Sequence, residues 1–250
     1  MSSRTVLVTQ ALQFVGPPAA EALHRDGFRV LGEAPEFVDP VQRQAFEARL
    51  PGSIALPPAS AEGGFEERWE RYGPIDVLVS NDVYPAIHRP LESLHVDELR
   101  QTIEALVVAP FALLQAAVPR MKARGRGNLI LVTSCRGELP MPGGCIPDLA
   151  RAAANALVRS LAIELAPHGI PVNAIAPNFL YSEAYFPRAR FIDDPDGRRY
   201  IESVVPAGRL GRPEEIGELV SYLAGMRGSF HTGSVIPFAG GWPSAPRRPN

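Results

Sequence analysis

Cysteine is scarce in this chain. Only Cys135 and Cys145 occur in 250 residues, too few for a disulfide scaffold. An excess of charge of either sign is also missing. The formal net charge is -2 and the pI about 6.2, so there is no electrostatic footprint for nucleic acid. No uninterrupted apolar run reaches the ~18 residues of a membrane span, and no membrane partner is expected. The opening Met-Ser-Ser-Arg runs straight into an apolar segment and lacks a signal-peptide layout. A cytoplasmic location is the expectation. The five histidines (His24, His88, His95, His168, His231) have no metal-ligand spacing, so no metal is expected.

What is present has a globular balance, with 46% hydrophobic and 21% charged residues. The length suits one α/β domain over 1–250, with a Pro- and Arg-rich tail at 242–250. Proline is in excess, 26 residues, about twice the usual ~5%. It marks element boundaries and carries no function by itself.

Short apolar strands alternate with helical segments. The strands are expected at 5–9, 28–31, 75–80, 128–133, 171–176 and 234–238. Helices are expected at 17–26, 41–50, 62–72, within 96–124, and at 149–165 and 214–223. Continuous apolar strands such as Leu129-Ile130-Leu131-Val132 belong in a parallel sheet covered on both faces. The expected fold is a single three-layer, doubly wound, Rossmann-like domain with a mainly parallel sheet. The basic run Arg120, Lys122, Arg124, Arg126 reads as a solvated cap at a helix end.

Glycine is short where a dinucleotide binder needs it. The turn after the first strand, Thr9 to Gly16, has one glycine, whereas a pyrophosphate needs a Gly-rich turn. Phe14 would project a ring where phosphate and nicotinamide ribose sit. Pro17 and Pro18 remove two N–H donors from the following helix start. No cofactor is therefore expected. An ordinary strand-to-helix turn without a ligand accounts for the segment equally well.

Four places carry a resemblance. They are the first turn with Thr9, Phe14 and Gly16; the strand end Val77 to Asp82; Val132-Thr133-Ser134; and Pro177-Asn178-Phe179-Leu180 with Ser182-Glu183. Through them nearly the whole chain resembles a short-chain dehydrogenase/reductase and, within that superfamily, the halohydrin (haloalcohol) dehalogenases. The resemblance implies cofactor-free closure of vicinal haloalcohols to epoxides, and epoxide opening by halide, azide, cyanide or nitrite. It gives Ser134 the substrate oxygen and Arg151 the task of lowering the pKa of a tyrosine base. Asp82 would support Arg151 in a charge-assisted pair. Pro177, Asn178, Phe179 and Leu180 would form a halide nest from backbone groups. Phe14, Tyr84, Arg136, Tyr185 and Phe186 would line the substrate pocket. A homo-oligomer, a tetramer by resemblance, is implied as well.

The chain departs from that pattern at one position. The family has tyrosine after twelve residues that follow Ser134; here that position is Pro147, and no tyrosine lies between Tyr84 and Tyr181. Proline cannot act as a general base. Three readings follow. Another group, among Tyr84, Tyr181, Tyr185 and Cys145, supplies the base. Alternatively the chain keeps an anion pocket without useful catalysis. In the third, position 147 is an altered site in a working framework. A nicotinamide-dependent reductase is disfavoured by Gln10, Phe14 and the absent tyrosine. Plainer readings stand beside these: Arg151 as a solvated helix residue, Ser134 as a strand-end cap, Arg136 facing solvent, and the aromatic residues after Leu180 as loop packing.

Overall fold

The computed structural model describes residues 3–58 and 64–244. In chain order the elements are β1 (Thr5–Val8), α1 (Gly16–Arg25), β2 (Arg29–Glu33), α2 (Pro40–Arg49), β3 (Ile54–Leu56), α3 (Gly64–Tyr72) and β4 (Val77–Asn81). Then come α4 (Val96–Ile103), α5 (Ala109–Arg124), β5 (Leu129–Val132), α6 (Cys145–Leu165), β6 (Val172–Pro177), α7 (Pro195–Val204), α8 (Pro213–Gly225) and β7 (Val235–Phe238). The seven strands form one sheet in the order β3-β2-β1-β4-β5-β6-β7, parallel throughout. This is the expected Rossmann-like, doubly wound domain.

Alternation along the central strands explains why their apolar residues run consecutively. Val6, Val8, Val77, Val79, Ile130 and Val132 pack with Ala19 and Leu23 of α1 and Ile216 and Val220 of α8. Their neighbours Leu7, Leu78, Leu129 and Leu131 face the other way, onto Leu114, Ala117 and Met121 of α5 and Val158 and Ala162 of α6. Successive side chains of a strand point to opposite faces, so a sheet covered twice needs both sets buried.

Several expectations need correction. β3 was not anticipated, since three residues hold too little periodicity to register. Nor was α7, although Asp194 caps it by accepting from Asp196 N–H at 3.0 Å. The expected helix from Glu62 is seen from Gly64; Glu62 lies outside the described residues, as do 245–250 of the expected tail. The basic run does sit at the end of α5, but it is paired as well as solvated. Arg120 pairs with Glu66 and Glu70, Lys122 with Glu164, and Arg124 with Asp76.

α4 and α5 join through a wide helical turn at Glu104–Val108. Pro110 follows it, and a proline has no N–H for the carbonyl one turn back and crowds that carbonyl. The continuous helix Val96–Arg124 is long and apolar enough to cross a membrane by length and composition. Here it is a layer of the domain, because Leu114, Ala117 and Met121 lie in the core. Its outer side leaves Val108 and Phe111 exposed, and α6 leaves Leu149 and Ile163 exposed.

The chain crosses from one half of the sheet to the other between β1 and β4. In such sheets ligands lie in the crevice beyond the carboxyl ends of the strands at this switch point.

Candidate active site

Four successive loops meet there: those after β1, β4, β5 and β6. The turn after β1 is held by Asn81, whose side-chain amide donates to the carbonyls of Gln10 at 3.1 Å and Gln13 at 2.8 Å. Its own amides fold inward, Gln13 N–H to Gln10 O at 2.9 Å and Gly16 N–H to Gln13 O at 2.8 Å. Gly16 is required for this fold-back, since a Cβ there would lie 2.1 Å from the Gln10 carbonyl. Phe14 has a φ of 52°, a left-handed conformation rare for a bulky residue and concentrated at functional sites. Its ring meets that of Tyr185 edge-on at 5.0 Å.

After β4, Asp82 is placed differently from the expectation. Its carboxyl accepts from Ser80 Oγ at 2.9 Å. Arg151 does not pair with that carboxyl. It donates to main-chain carbonyls, Asp82 O at 3.0 Å and Val132 O at 3.3 Å. Burial pushes the Asp82 carboxyl up to about 7, against the lowering influence of the Ser80 hydrogen bond and the Arg151 charge. Arg151 itself is 7% exposed, so the solvated-surface reading is set aside. Its planar fork satisfies two carbonyls at once, which a point-donor lysine cannot do in the same way.

After β5, the Ser134 hydroxyl donates to Pro177 O at 3.1 Å and accepts from Arg136 N–H at 3.1 Å. It ties the β5 loop to the β6 loop. Arg136 does not face solvent; its side chain pairs with Asp148 at 2.8 Å and lies against His88 at 3.0 Å. Pro147 is buried at the third residue of α6, which begins at Cys145 rather than at the expected 149. Proline fits the first turn because that N–H would have no intrahelical acceptor.

After β6, Phe179 adopts a φ of 52°. Its N–H donates to Asn178 Oδ1 at 2.9 Å, and the Asn178 N–H to Phe238 O at 3.1 Å. Leu180 is buried, and among the described residues its N–H has no protein acceptor. A buried unpartnered N–H calls for a ligand or water. The Phe179 ring packs on Phe186 at 5.3 Å and Trp242 at 5.6 Å. Tyr185, on the same segment, reaches back across the site. Its hydroxyl donates to Tyr84 O at 2.8 Å and accepts from Tyr84 N–H at 3.3 Å and Arg151 Nη2 at 3.4 Å.

The structure thus gathers Phe14, Asp82, Tyr84, Ser134, Arg136, Pro147, Arg151, Pro177, Asn178, Phe179, Leu180, Tyr185 and Phe186 at one end of the sheet. Sequence reasoning missed Asn155, whose amide donates to Ser134 O at 2.9 Å. A signal was there: Pro147, Arg151 and Asn155 follow at four-residue steps, one stripe of a helix. Two open clefts, of about 400 and 300 Å³, lie elsewhere, beside α1 and α8 and at the amino ends of the strands. Neither is at the switch point, so the crevice geometry locates the site better than cleft size.

The class follows from the fold and these loops. The family described as enoyl-(acyl carrier protein) reductase, of the short-chain dehydrogenase type, matches residues 15–243. The chain belongs to the short-chain dehydrogenase/reductase family. Its relatives divide in two. An uncharacterized oxidoreductase of Thermotoga maritima is 30% identical over 95% of this chain and 96% of that protein. Human dehydrogenase/reductase SDR family member 4 is 28% identical over 98% of this chain and 89% of that protein. Among solved structures, a halohydrin dehalogenase bound to ethyl (2S)-oxiran-2-ylacetate is 34% identical, with a TM-score of 0.93, over 98% of this chain and 100% of that one. A dehalogenation enzyme is also 34% identical, with a TM-score of 0.91, over 96% of this chain and 98% of that one.

Proposed function

We propose that this chain is a cofactor-independent, halohydrin dehalogenase-like lyase. It would close vicinal haloalcohols to epoxides with release of halide. In reverse it would open epoxides with small anions such as azide, cyanide or nitrite. The observation that carries this reading is the Phe14–Tyr185 ring pair. It joins the β1 turn to the loop after β6 over the end of the sheet, where a nicotinamide dinucleotide would have to pass. The inward-folded turn amides and the likeness to two dehalogenase structures support it.

The reaction needs a site for an oxygen, a site for an anion and a base between them. Ser134 would turn its hydroxyl from Pro177 O to the substrate oxygen. Arg151 supplies positive potential, and its main-chain partners hold it still. The Leu180 N–H, beside the left-handed Phe179, would take the departing halide, with aromatic rings excluding water. Asp82 steadies the loop whose carbonyl receives Arg151. The exposed apolar residues Val108, Phe111, Leu149 and Ile163 suit burial against further copies, as in the expected homo-oligomer.

Pro147 favours a second reading: an anion-binding protein of the same architecture without useful turnover. Bromide release from propene bromohydrin, measured with and without added NADPH, separates the readings. Release independent of NADPH supports the lyase. NADPH-dependent carbonyl reduction would establish the reductase named by the sequence relatives. Bromide binding without release would leave the binding protein.

A further inference from the structure

Arg151 has no phenol on its own helix. Pro147 lies one turn before it, at the spacing that sets two side chains on one helix face, and its ring bears no oxygen. A hydroxyl from elsewhere reaches the same cation. Tyr185 Oη lies 3.4 Å from Arg151 Nη2. The alternatives point away. Tyr84 Oη donates to Gln101 at 3.0 Å, and Tyr181 Oη donates to Glu183 at 2.7 Å. Cys145 is exposed and sits six residues before Arg151, off its face of the helix. Cys135 is buried, and burial pushes its thiol up to about 11.

We propose that Tyr185 is the acid–base residue of this site, supplying from the loop after β6 the phenol that α6 lacks at position 147. The proposal rests on the dehalogenase reading above. Its ring is placed from three sides. Phe14 meets it edge-on at 5.0 Å, its main-chain N–H donates to Ser182 Oγ at 3.2 Å, and the Tyr84 main chain brackets its oxygen. Two donors, Arg151 and the Tyr84 N–H, converge on that oxygen and remain in place when its proton leaves. The acid–base group and the halide nest then ride on one segment, 177–186.

In the epoxide-forming direction the phenolate, its proton already passed to water, takes the proton of the substrate hydroxyl. The alkoxide pair forms the new C–O bond as the C–halogen bond breaks, and halide leaves with that bond's electrons. In reverse, azide forms a C–N bond while the epoxide C–O bond breaks, and the ring oxygen takes the Tyr185 proton. Nothing is oxidised or reduced.

The test compares four full-length proteins: the chain itself, Tyr185→Phe, Pro147→Tyr and the double variant. Bromide release from propene bromohydrin gives kcat and KM. Bromide titration read by tryptophan fluorescence, with Trp242 against Phe179, shows whether each folded protein keeps the anion site. The expected result is turnover by the chain and a loss of ~10²-fold or more in kcat for Tyr185→Phe. Bromide binding and KM should stay near their starting values. Adding Pro147→Tyr to Tyr185→Phe should restore turnover. Undiminished kcat in Tyr185→Phe overturns the proposal and leaves the dehalogenase reading standing. So does an inert parent chain beside an active Pro147→Tyr variant. If none of the four releases bromide, the dehalogenase reading fails and this inference with it.

Discussion

Replacing Asp82 by asparagine isolates the energetic consequence of one buried charge. Burial holds the Asp82 carboxyl at about 7, far above its ordinary 3.8. In the unfolded chain it titrates near the ordinary value. Between the two values the folded protein binds a proton that the unfolded chain has lost, so stability falls as pH rises through that window. Below the window both states are protonated and the effect disappears. The gap between 3.8 and about 7 corresponds to ~4 kcal/mol. Asp82 is half-buried by area, so solvent reaches part of it and that figure is an upper bound. Asparagine keeps a partner for Ser80 Oγ and leaves unchanged the main-chain carbonyl that receives Arg151. The variant should match the parent near pH 4 and exceed it by up to ~4 kcal/mol at pH 8, growing by no more than ~1.4 kcal/mol per pH unit. Urea unfolding of both proteins across this range, at one protein concentration because assembly shifts apparent stability, gives the difference directly. A difference that does not change with pH, or that reverses sign by pH 8, would refute the assignment of a raised carboxyl at this position.

Three further outcomes follow from the packing. Arg68→Met leaves Glu33 buried without its ion-pair partner, which should cost ~3–5 kcal/mol at pH 8 and less in acid, where Glu33 is protonated; urea midpoints at the two pH values check this. Gly16→Ala drives a methyl into the Gln10 carbonyl and should lower stability by ~1–3 kcal/mol, seen as a fall in Tm. Phe179→Gly relieves a left-handed φ worth ~1–2 kcal/mol but removes a buried ring worth ~3–5 kcal/mol. A net loss of stability and a weakened bromide titration are expected.

Most of the sheet was legible in advance because most strands carry a run of consecutive apolar residues and each long helix is periodic. β3 escaped because Ile54–Leu56 is too short to show a period, and α7 because its polar, Gly197-containing sequence resembles a loop. Within the site, residues at strand ends could be placed by order alone: Asp82 after β4, Ser134 after β5, Pro177 at the end of β6. What could not be read was partnership. Whether Arg151 meets the carboxyl or the carbonyl of Asp82 depends on side-chain rotations that composition does not encode. For Arg136 a place in the pocket and a place in solvent both stood open, because its partner, Asp148, lies across a loop and a helix start. Tyr185 reaches Arg151 only through the path of the segment after β6, a contact between residues 34 positions apart.

Arg151 is gripped by main-chain oxygens of Asp82 and Val132. Every residue type supplies a carbonyl, so mutational drift at those two positions does not withdraw the grip. The position of the cation is therefore decoupled from the identity of its neighbours: side chains around it can change while the charge stays where the main chain puts it.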